Sequence, residues 1–185
     1  MDKKEISILL SKQDSKVIKV ACIILMMLFS IGICVFAATP PVGTRLKVKN
    51  IGKSTSTQDM VLNVYTSGTP VSGDTVTIYA ASGSASQSWK NLTLPGGGFR
   101  FALYYDTGGL SLNYQQSTTK CTVYPYGSNV LDDYKLRYDP GDYGTLIVLN
   151  ERGRFLGTSS NSSTTVCYWY TGFANADDNW TFSQW

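Results

Sequence analysis

The chain contains no histidine, and this absence removes several catalytic designs. The common serine and cysteine triads move a proton through histidine, so neither can be built here. A metal site would have to use oxygen or thiolate ligands, and the sequence shows neither a Cys-x-x-Cys pair nor an acidic calcium-binding loop. We therefore expect no cofactor and no resident metal.

Charge is also scarce. Lys, Arg, Asp and Glu make up 16% of the 185 residues. Residues 39–185 hold eleven basic and ten acidic residues, a net charge of +1, and no basic run exceeds two residues. Because nucleic-acid-binding surfaces concentrate Lys and Arg, the sequence predicts no nucleic-acid partner. Only two of the four cysteines, Cys121 and Cys167, lie beyond residue 38, too few for a disulfide scaffold.

Residues 1–38 differ from the rest of the chain. A lysine-rich start leads into residues 20–38, nineteen residues without a charge, whose end reads Val-Phe-Ala-Ala. This pattern is typical of a secretory signal peptide, cleaved here near Ala37 or Ala38. The alternative is an uncleaved N-terminal anchor, since the run could just span a bilayer. Either interpretation predicts a protein that is secreted or held at the cell surface, with membrane contact only through this segment. Residues 39–44 are predicted to be a short linker.

Beyond the linker the sequence shows short β-branched and aromatic runs separated by Gly, Ser, Asn and Asp, with no helical periodicity. Twelve strands are predicted, in three groups of four. They cover residues 45–50, 59–65, 74–80, 88–94, 99–105, 110–115, 120–126, 134–138, 145–150, 154–158, 164–170 and 179–185.

The three groups are related by a repeat of about 45 residues. Two sets of aromatic residues mark it, at intervals of 45 or 46: Tyr79, Tyr124 and Trp169, then Trp89, Tyr134 and Trp180. A unit of four strands cannot bury its apolar face alone, so three units are expected to share one core. We expect the second set to occupy equivalent buried positions.

The first unit closes on Gln87-Ser88-Trp89, and the others close on decayed forms of this motif. Together with VLNV at 61–64 and GDTVTIY at 73–79, this pattern resembles the ricin B-type lectins, whose repeats end in Gln-x-Trp. The resemblance covers residues 41–185. It implies an all-β fold over residues 45–185, a β-trefoil of three four-stranded repeats with pseudo-threefold symmetry. It also gives Gln87 and Trp89 structural roles.

The resemblance further implies a shallow sugar pocket in each repeat, where a ring stacks on a pyranose and polar groups bind its hydroxyls. The candidate carbohydrate-binding residues are Asn63, Thr77, Tyr79 and Ser86 in repeat 1, Asn113 and Tyr124 in repeat 2, and Trp169 and Asp177 in repeat 3. The family's usual Asp is missing from every repeat. Leu131 fills the assisting position of repeat 2, and Gly157 replaces the hydroxyl-binding acid of repeat 3. Repeat 1 keeps the fullest set and ranks first, followed by repeat 3.

The function favoured by the sequence is that of a secreted, non-catalytic, lectin-like β-trefoil protein with weak, multivalent binding of glycans. One alternative is an exported trefoil with decayed sugar sites that binds a protein or serves in the cell envelope. A glycosidase would need a carboxylate pair such as Asp177 and Asp178, or Asp132 and Asp133. Asp132 and Asp178 stand at the structural Gln position, where a turn-organising role is favoured.

The repeat alignment also bears on the two cysteines. It matches Cys121 with Val76 and Val166, and it places Cys167 one position later. Successive residues of a strand point to opposite faces. The alignment therefore predicts two thiols on different faces and no disulfide between them.

Overall fold

A computed structural model describes residues 38–107, 109–115, 117–127, 135–158, 165–172 and 176–185. Within them lie twelve strands, one for each predicted run, and two 3-10 helices, Ala85–Gln87 and Ala176–Asp178. The strands are β1 Leu46–Asn50, β2 Met60–Val64, β3 Val76–Ala80, β4 Trp89–Thr93, β5 Phe99–Leu103, β6 Leu110–Tyr114, β7 Cys121–Pro125, β8 Leu136–Pro140, β9 Thr145–Leu149, β10 Arg154–Thr158, β11 Cys167–Tyr170 and β12 Asn179–Gln184. Residues 1–37 of the predicted leader, together with Leu131, Asp132, Asp133 and Tyr134, lie outside the described residues.

Six strands close a barrel. Antiparallel pairs run from β1 to β4, β4 to β5, β5 to β8, β8 to β9, β9 to β12 and β12 back to β1. Each of these strands is therefore paired on both sides. Closure leaves no open edge in the barrel to pair with another chain.

The other six strands form three hairpins, β2–β3, β6–β7 and β10–β11. The first strand of each hairpin pairs with a barrel strand: β2 with β1, β6 with β5, and β10 with β9. Isolated antiparallel bridges join the hairpins to one another at Thr75 and Thr122, Thr77 and Val166, and Lys120 and Tyr168. Every hairpin thus contacts the other two.

Two tryptophans anchor hairpins to the barrel. Trp89 and Trp180 are fully buried, as predicted. The indole Nε1 of Trp89 donates to the Leu62 carbonyl at 2.9 Å, and that of Trp180 donates to the Leu156 carbonyl at 2.9 Å. The hydrogen bond lets each large apolar ring fill the core without leaving its one polar atom unpaired.

The pairing of β10 with β11 corrects the predicted register of the third repeat. Asn63 lies opposite Thr77, Asn113 lies opposite Thr122, and Gly157 lies opposite Tyr168. Asn63, Asn113 and Gly157 are therefore equivalent positions. Tyr79 and Tyr124 stand two residues after the partners of Asn63 and Asn113, and Tyr170 stands two residues after the partner of Gly157. Tyr170 is thus the outward ring of repeat 3, and the sequence alignment of β11 is wrong by one residue. A slip of one residue exchanges the two faces of a strand. Trp169 is accordingly a core residue, 1% exposed.

The same correction changes the placement of the two cysteines. Cys121 and Cys167 become equivalent positions, and the bridge between Lys120 and Tyr168 sets one opposite the other. Both are fully buried, so the prediction of different faces is wrong. Both are also free thiols, as predicted. The reason for that prediction, which was that the thiols lie on different faces, is wrong. Desolvation raises the pKa of each thiol, and in Cys167 the neighbouring Cys121 raises it further.

The segment predicted as a linker lies against the barrel. Val42 forms a parallel bridge with Asn91, and Gly43 N donates to the Asn91 carbonyl at 2.8 Å. The Asn91 side chain, fully buried, donates in turn to the Pro40 carbonyl at 2.9 Å. Across the described part of the chain, no helix has the length and apolar character to cross a membrane.

Candidate functional site

The structure brings together all four residues predicted for repeat 1. The register of β2 and β3 sets Asn63 opposite Thr77, and Asn63 Nδ2 donates to Thr77 Oγ1 at 3.2 Å. The 3-10 helix Ala85–Gln87 carries Ser86 to the same place, where its hydroxyl donates to Asn63 Oδ1 at 3.2 Å. The three side chains form one hydrogen-bonded line beside Tyr79.

A cleft of about 460 Å³ opens beside this line, lined by Asn63, Tyr65, Tyr79, Ser82, Ser84 and Ser86 among others. The Tyr79 side chain is 44% exposed, although it belongs to a strand whose first three residues are buried. An exposed ring beside an amide and several hydroxyls is the combination that a pyranose needs, with one apolar face and directional hydroxyls.

Gln87 builds the wall of the cleft. Its Oε1 accepts hydrogen bonds from Ser82 N at 2.8 Å and Ser82 Oγ at 3.1 Å, and its Nε2 donates to the Ala80 carbonyl at 2.9 Å. The side chain is 1% exposed, with both ends of the amide occupied. The residue fixes the loop that follows β3, which agrees with the structural role predicted for it.

Tyr65 is a lining residue that the sequence reasoning missed. It directly follows β2 and is 64% exposed. It lines the repeat 1 cleft and also a smaller neighbouring cleft with Thr75, Thr77 and Lys120. The signal was present: Tyr65 stands two residues after Asn63, and alternate residues of a strand share a face.

Repeat 2 reproduces part of the arrangement. Asn113 Nδ2 donates to Thr122 Oγ1 at 3.3 Å, as Asn63 does to Thr77. Asn113 is 2% exposed, and Tyr124 is half-buried. The predicted amide and ring of this repeat are therefore on one hairpin, with the amide largely covered.

Repeat 3 differs most from its prediction. Trp169 cannot stack on a sugar, because its ring is in the core and its Nε1 donates to the Asn113 carbonyl at 3.0 Å. Asp177 forms a 2.6 Å ion pair with Lys53, whose side chain is 8% exposed. At Gly157 a Cβ atom would fall 1.7 Å from Asp178 Oδ1, so the aspartate fills the space where repeat 1 has the Asn63 side chain. The two residues predicted here do not form a site.

Comparison with known proteins gives the fold. No family model and no curated protein sequence matches the chain. Among solved structures, the designed threefold-symmetric protein ThreeFoil matches with a TM-score of 0.62 and 20% identity, over 76% of this chain and 99% of that one. The ricin B-like lectin of Macrolepiota procera, solved with lactose, matches with a TM-score of 0.61 and 12% identity, over 80% and 99%.

A third structure, the BEL β-trefoil, matches with a TM-score of 0.59 and 16% identity, over 80% of this chain and 97% of that one. The likeness therefore extends over nearly the whole of each of these proteins. At such identities it shows a shared fold. The chain is an all-β protein with a six-stranded barrel, similar to β-trefoils of the lectin type.

Proposed function

We propose that this chain is an exported, non-catalytic protein that binds carbohydrate through the repeat 1 cleft. The observation that carries the proposal is the placement of Asn63, Ser86 and the exposed ring of Tyr79 in the lining of one cleft. Thr77 is 2% exposed and supports the site through its hydrogen bond with Asn63. These groups come from three separate parts of the chain. Hydroxyl and amide groups placed beside a flat ring match the polar edge and the apolar face of a pyranose.

The domain that carries the cleft is proposed to be a β-trefoil of three four-stranded repeats over residues 45–185. Two observations support the threefold relationship. The three hairpins bridge one another at three related positions. Trp89 and Trp180 also make the same hydrogen bond to equivalent leucine carbonyls in β2 and β10. Export is supported by the leader sequence of residues 1–38.

Binding is favoured over hydrolysis because of what lines the cleft. Its described lining holds serines, threonine, tyrosines, an asparagine and a glutamine, and no carboxylate. Glycoside hydrolysis ordinarily requires two carboxylates across the scissile bond. Of the two pairs considered from the sequence, Asp177 and Asp178 are engaged elsewhere, with Asp177 bound to Lys53 and Asp178 packed beside Gly157. Asp132 and Asp133 lie outside the described residues.

A site of this depth should bind a single sugar with a dissociation constant of roughly 0.1–10 mM, because its hydrogen bonds replace bonds to water. Glycans clustered on a surface would raise the apparent affinity only if more than one contact forms on each protein. The expected ligand is a neutral glycan with an accessible terminal pyranose.

A glycan array probed with the full chain tests the proposal. Tyr79→Ala should remove most of the binding and leave the thermal melt nearly unchanged, since the ring is exposed. Tyr143→Ala, which removes a tyrosine that is 61% exposed in the β8–β9 connection, is the matched control and should bind as wild type does. A folded Tyr79→Ala protein with undiminished binding would refute the site. An array with no bound glycan would favour a protein partner.

A further inference from the structure

The outer face of β1 carries an unusual concentration of positive charge. Arg45, Lys47 and Lys49 alternate with the buried residues Leu46 and Val48, so all three basic side chains lie on the side away from the core. Counting consecutive basic residues misses this pattern, because an apolar residue separates each pair of charges.

A neighbouring strand adds a fourth cation. Leu46 of β1 pairs with Trp89 of β4, which sets Arg45 opposite Lys90. Like charges directly opposite each other on paired strands are destabilising. We call these four residues, Arg45, Lys47, Lys49 and Lys90, the β1 cationic face.

The acidic residues nearby neutralise only part of this charge. Lys47 and Lys49 share one carboxylate, Asp59, at 2.8 and 2.6 Å, and their hydrogen bonds hold its pKa below its usual value. Among the described residues no carboxylate lies within ion-pair distance of Arg45 or Lys90. Counted over side chains alone, four cations and one carboxylate leave a formal charge of +3, whereas the side chains of residues 39–185 as a whole carry +1.

Arg45 is held in place rather than free in solvent. Its Nε donates to Ser88 Oγ at 3.0 Å and its Nη2 donates to the Gly83 carbonyl at 2.7 Å. Both of these partners are neutral. Within the described ranges the guanidinium has no carboxylate at ion-pair distance, and its Nη1 donates to no other group. A fixed planar guanidinium suits a carboxylate, which it can bind through two parallel hydrogen bonds.

Two exposed aromatic rings flank the guanidinium. Its central carbon lies 5.2 Å from the ring centre of Tyr105 and 5.4 Å from that of Trp185. Tyr105 is 56% exposed and Trp185 is 38% exposed. Trp185 is fixed by a 3.1 Å hydrogen bond from its Nε1 to the Leu46 carbonyl. The cation therefore stands beside flat apolar surface of the kind on which a sugar ring stacks.

We propose that the β1 cationic face, with Tyr105 and Trp185, is a second binding site, separate from the repeat 1 cleft, for a polysaccharide built of uronic acids. A pyranose stacked on an exposed ring brings its own carboxylate to Arg45, and the next sugars along the chain place theirs near Lys90 or Lys47. This occupant satisfies the rings and the excess charge together. An anionic lipid surface or a simple polyanion uses the charge and leaves the rings without a role.

The test measures binding of the full chain to immobilised polygalacturonate, with neutral galactan as the uncharged comparison. Arg45→Gln should weaken binding to polygalacturonate at least tenfold, and Lys90→Gln and Tyr105→Ala should each weaken it about threefold to tenfold. Raising NaCl from about 0.05 to 0.5 M should weaken it in the wild type. Thermal melts establish whether each variant is folded. If Arg45→Gln does not fold, the binding of Lys90→Gln and Tyr105→Ala to polygalacturonate tests the proposal.

Matched controls separate this site from the repeat 1 cleft. Lys135→Gln removes a lysine that pairs with Glu151 at 3.7 Å, and it should leave polygalacturonate binding unchanged. Tyr79→Ala should also leave it unchanged, while Arg45→Gln should leave binding to any neutral glycan unchanged. The proposals for the two sites can therefore be refuted independently of each other.

Three results would overturn the proposal. The first is a wild-type protein that does not bind polygalacturonate. The second is binding that Arg45→Gln, Lys90→Gln and Tyr105→Ala leave intact. The third is equal binding, with the same dependence on these residues, to polyglutamate, to phosphatidylglycerol vesicles or to single-stranded oligonucleotide, because the rings would then contribute no recognition of a sugar.

Discussion

Asn63 and Thr77 face each other across the β2–β3 hairpin and share a hydrogen bond of 3.2 Å. Asn113 and Thr122 repeat this contact across β6–β7 at 3.3 Å. Each bond satisfies a buried side-chain amide and a buried hydroxyl. Asn63 has an additional partner, since Ser86 donates to its Oδ1 from the loop that borders the repeat 1 cleft. A comparison of the two pairs therefore separates the contribution of this hydrogen bond to stability from a contribution of Asn63 to ligand binding.

Asn63→Ala and Asn113→Ala should lower the free energy of unfolding by similar amounts, about 1–2 kcal/mol each, because each leaves a buried threonine hydroxyl without its amide partner. Only Asn63→Ala should also abolish binding to a glycan surface. Urea denaturation gives the first quantity, and titration over the immobilised glycan gives the second. If both variants lose binding equally, Asn63 acts through stability and the cleft contains no amide contact.

Trp169→Ala and Tyr79→Ala compare two aromatic residues for which the sequence predicted the same role. Trp169 is 1% exposed with its indole hydrogen-bonded, so its loss should cost about 3–5 kcal/mol of unfolding free energy. Tyr79 is 44% exposed, and its loss should cost about 0.5 kcal/mol or less. Denaturant midpoints measure both. Similar costs for the two variants would contradict the assignment of Trp169 to the core.

The strand pattern and the all-β class could be predicted because alternation and turn residues fix them locally, whereas the candidate residues of repeat 1 came from the resemblance to the ricin B-type lectins. The face of β11 could not. Tyr168, Trp169 and Tyr170 are consecutive aromatic residues, so either register places rings on both faces of the strand. The choice is made by pairing with β10, where Gly157 meets Tyr168. The spacing of residues within β11 alone does not indicate this contact between strands.

For the β1 cationic face, by contrast, the sequence itself indicates that three of the basic side chains share one side of a strand. Arg45, Lys47 and Lys49 alternate with apolar residues, and alternation on a strand places them on one side. Lys90 joins them only through the pairing of β1 with β4, which no local pattern reveals. The charge of a β protein is therefore better judged by strand faces than by runs of residues.

Gly157→Ala should destabilise the protein by about 1–3 kcal/mol, the usual cost of overpacking a filled interior. The added Cβ would lie 1.7 Å from Asp178 Oδ1, and the aspartate is 5% exposed, so it has little room to move. Gly68→Ala is the control, because no heavy atom lies within 4 Å of a Cβ there. Calorimetric melts should show a lower midpoint for the first variant alone. An unchanged midpoint for Gly157→Ala would show that repeat 3 has space for a side chain.

Cys121 and Cys167 predict how stability responds to alkaline pH. Burial raises the pKa of both thiols above the usual value of 9.0, so the folded protein keeps two protons that the unfolded chain releases as the pH rises past that value. The unfolded state then binds fewer protons, and the free energy of unfolding must fall with increasing pH. Between pH 8 and pH 10 the two thiols together should remove about 2–3 kcal/mol, with full stability retained below pH 8.

Cys121→Val isolates the contribution of one thiol, because Val76 occupies the equivalent position in repeat 1. This variant should lose about half of the extra alkaline sensitivity and keep the fold, as the replacement is apolar and similar in size. Urea denaturation at pH 8, 9 and 10 gives the slope for both proteins. In parallel, iodoacetamide at pH 8 should label neither thiol in the folded protein and both in denaturant, as identified by peptide mass spectrometry. Identical pH slopes for wild type and variant, or rapid labelling of the folded protein, would mean that the thiols ionise freely and that the junction of the three hairpins is open to water.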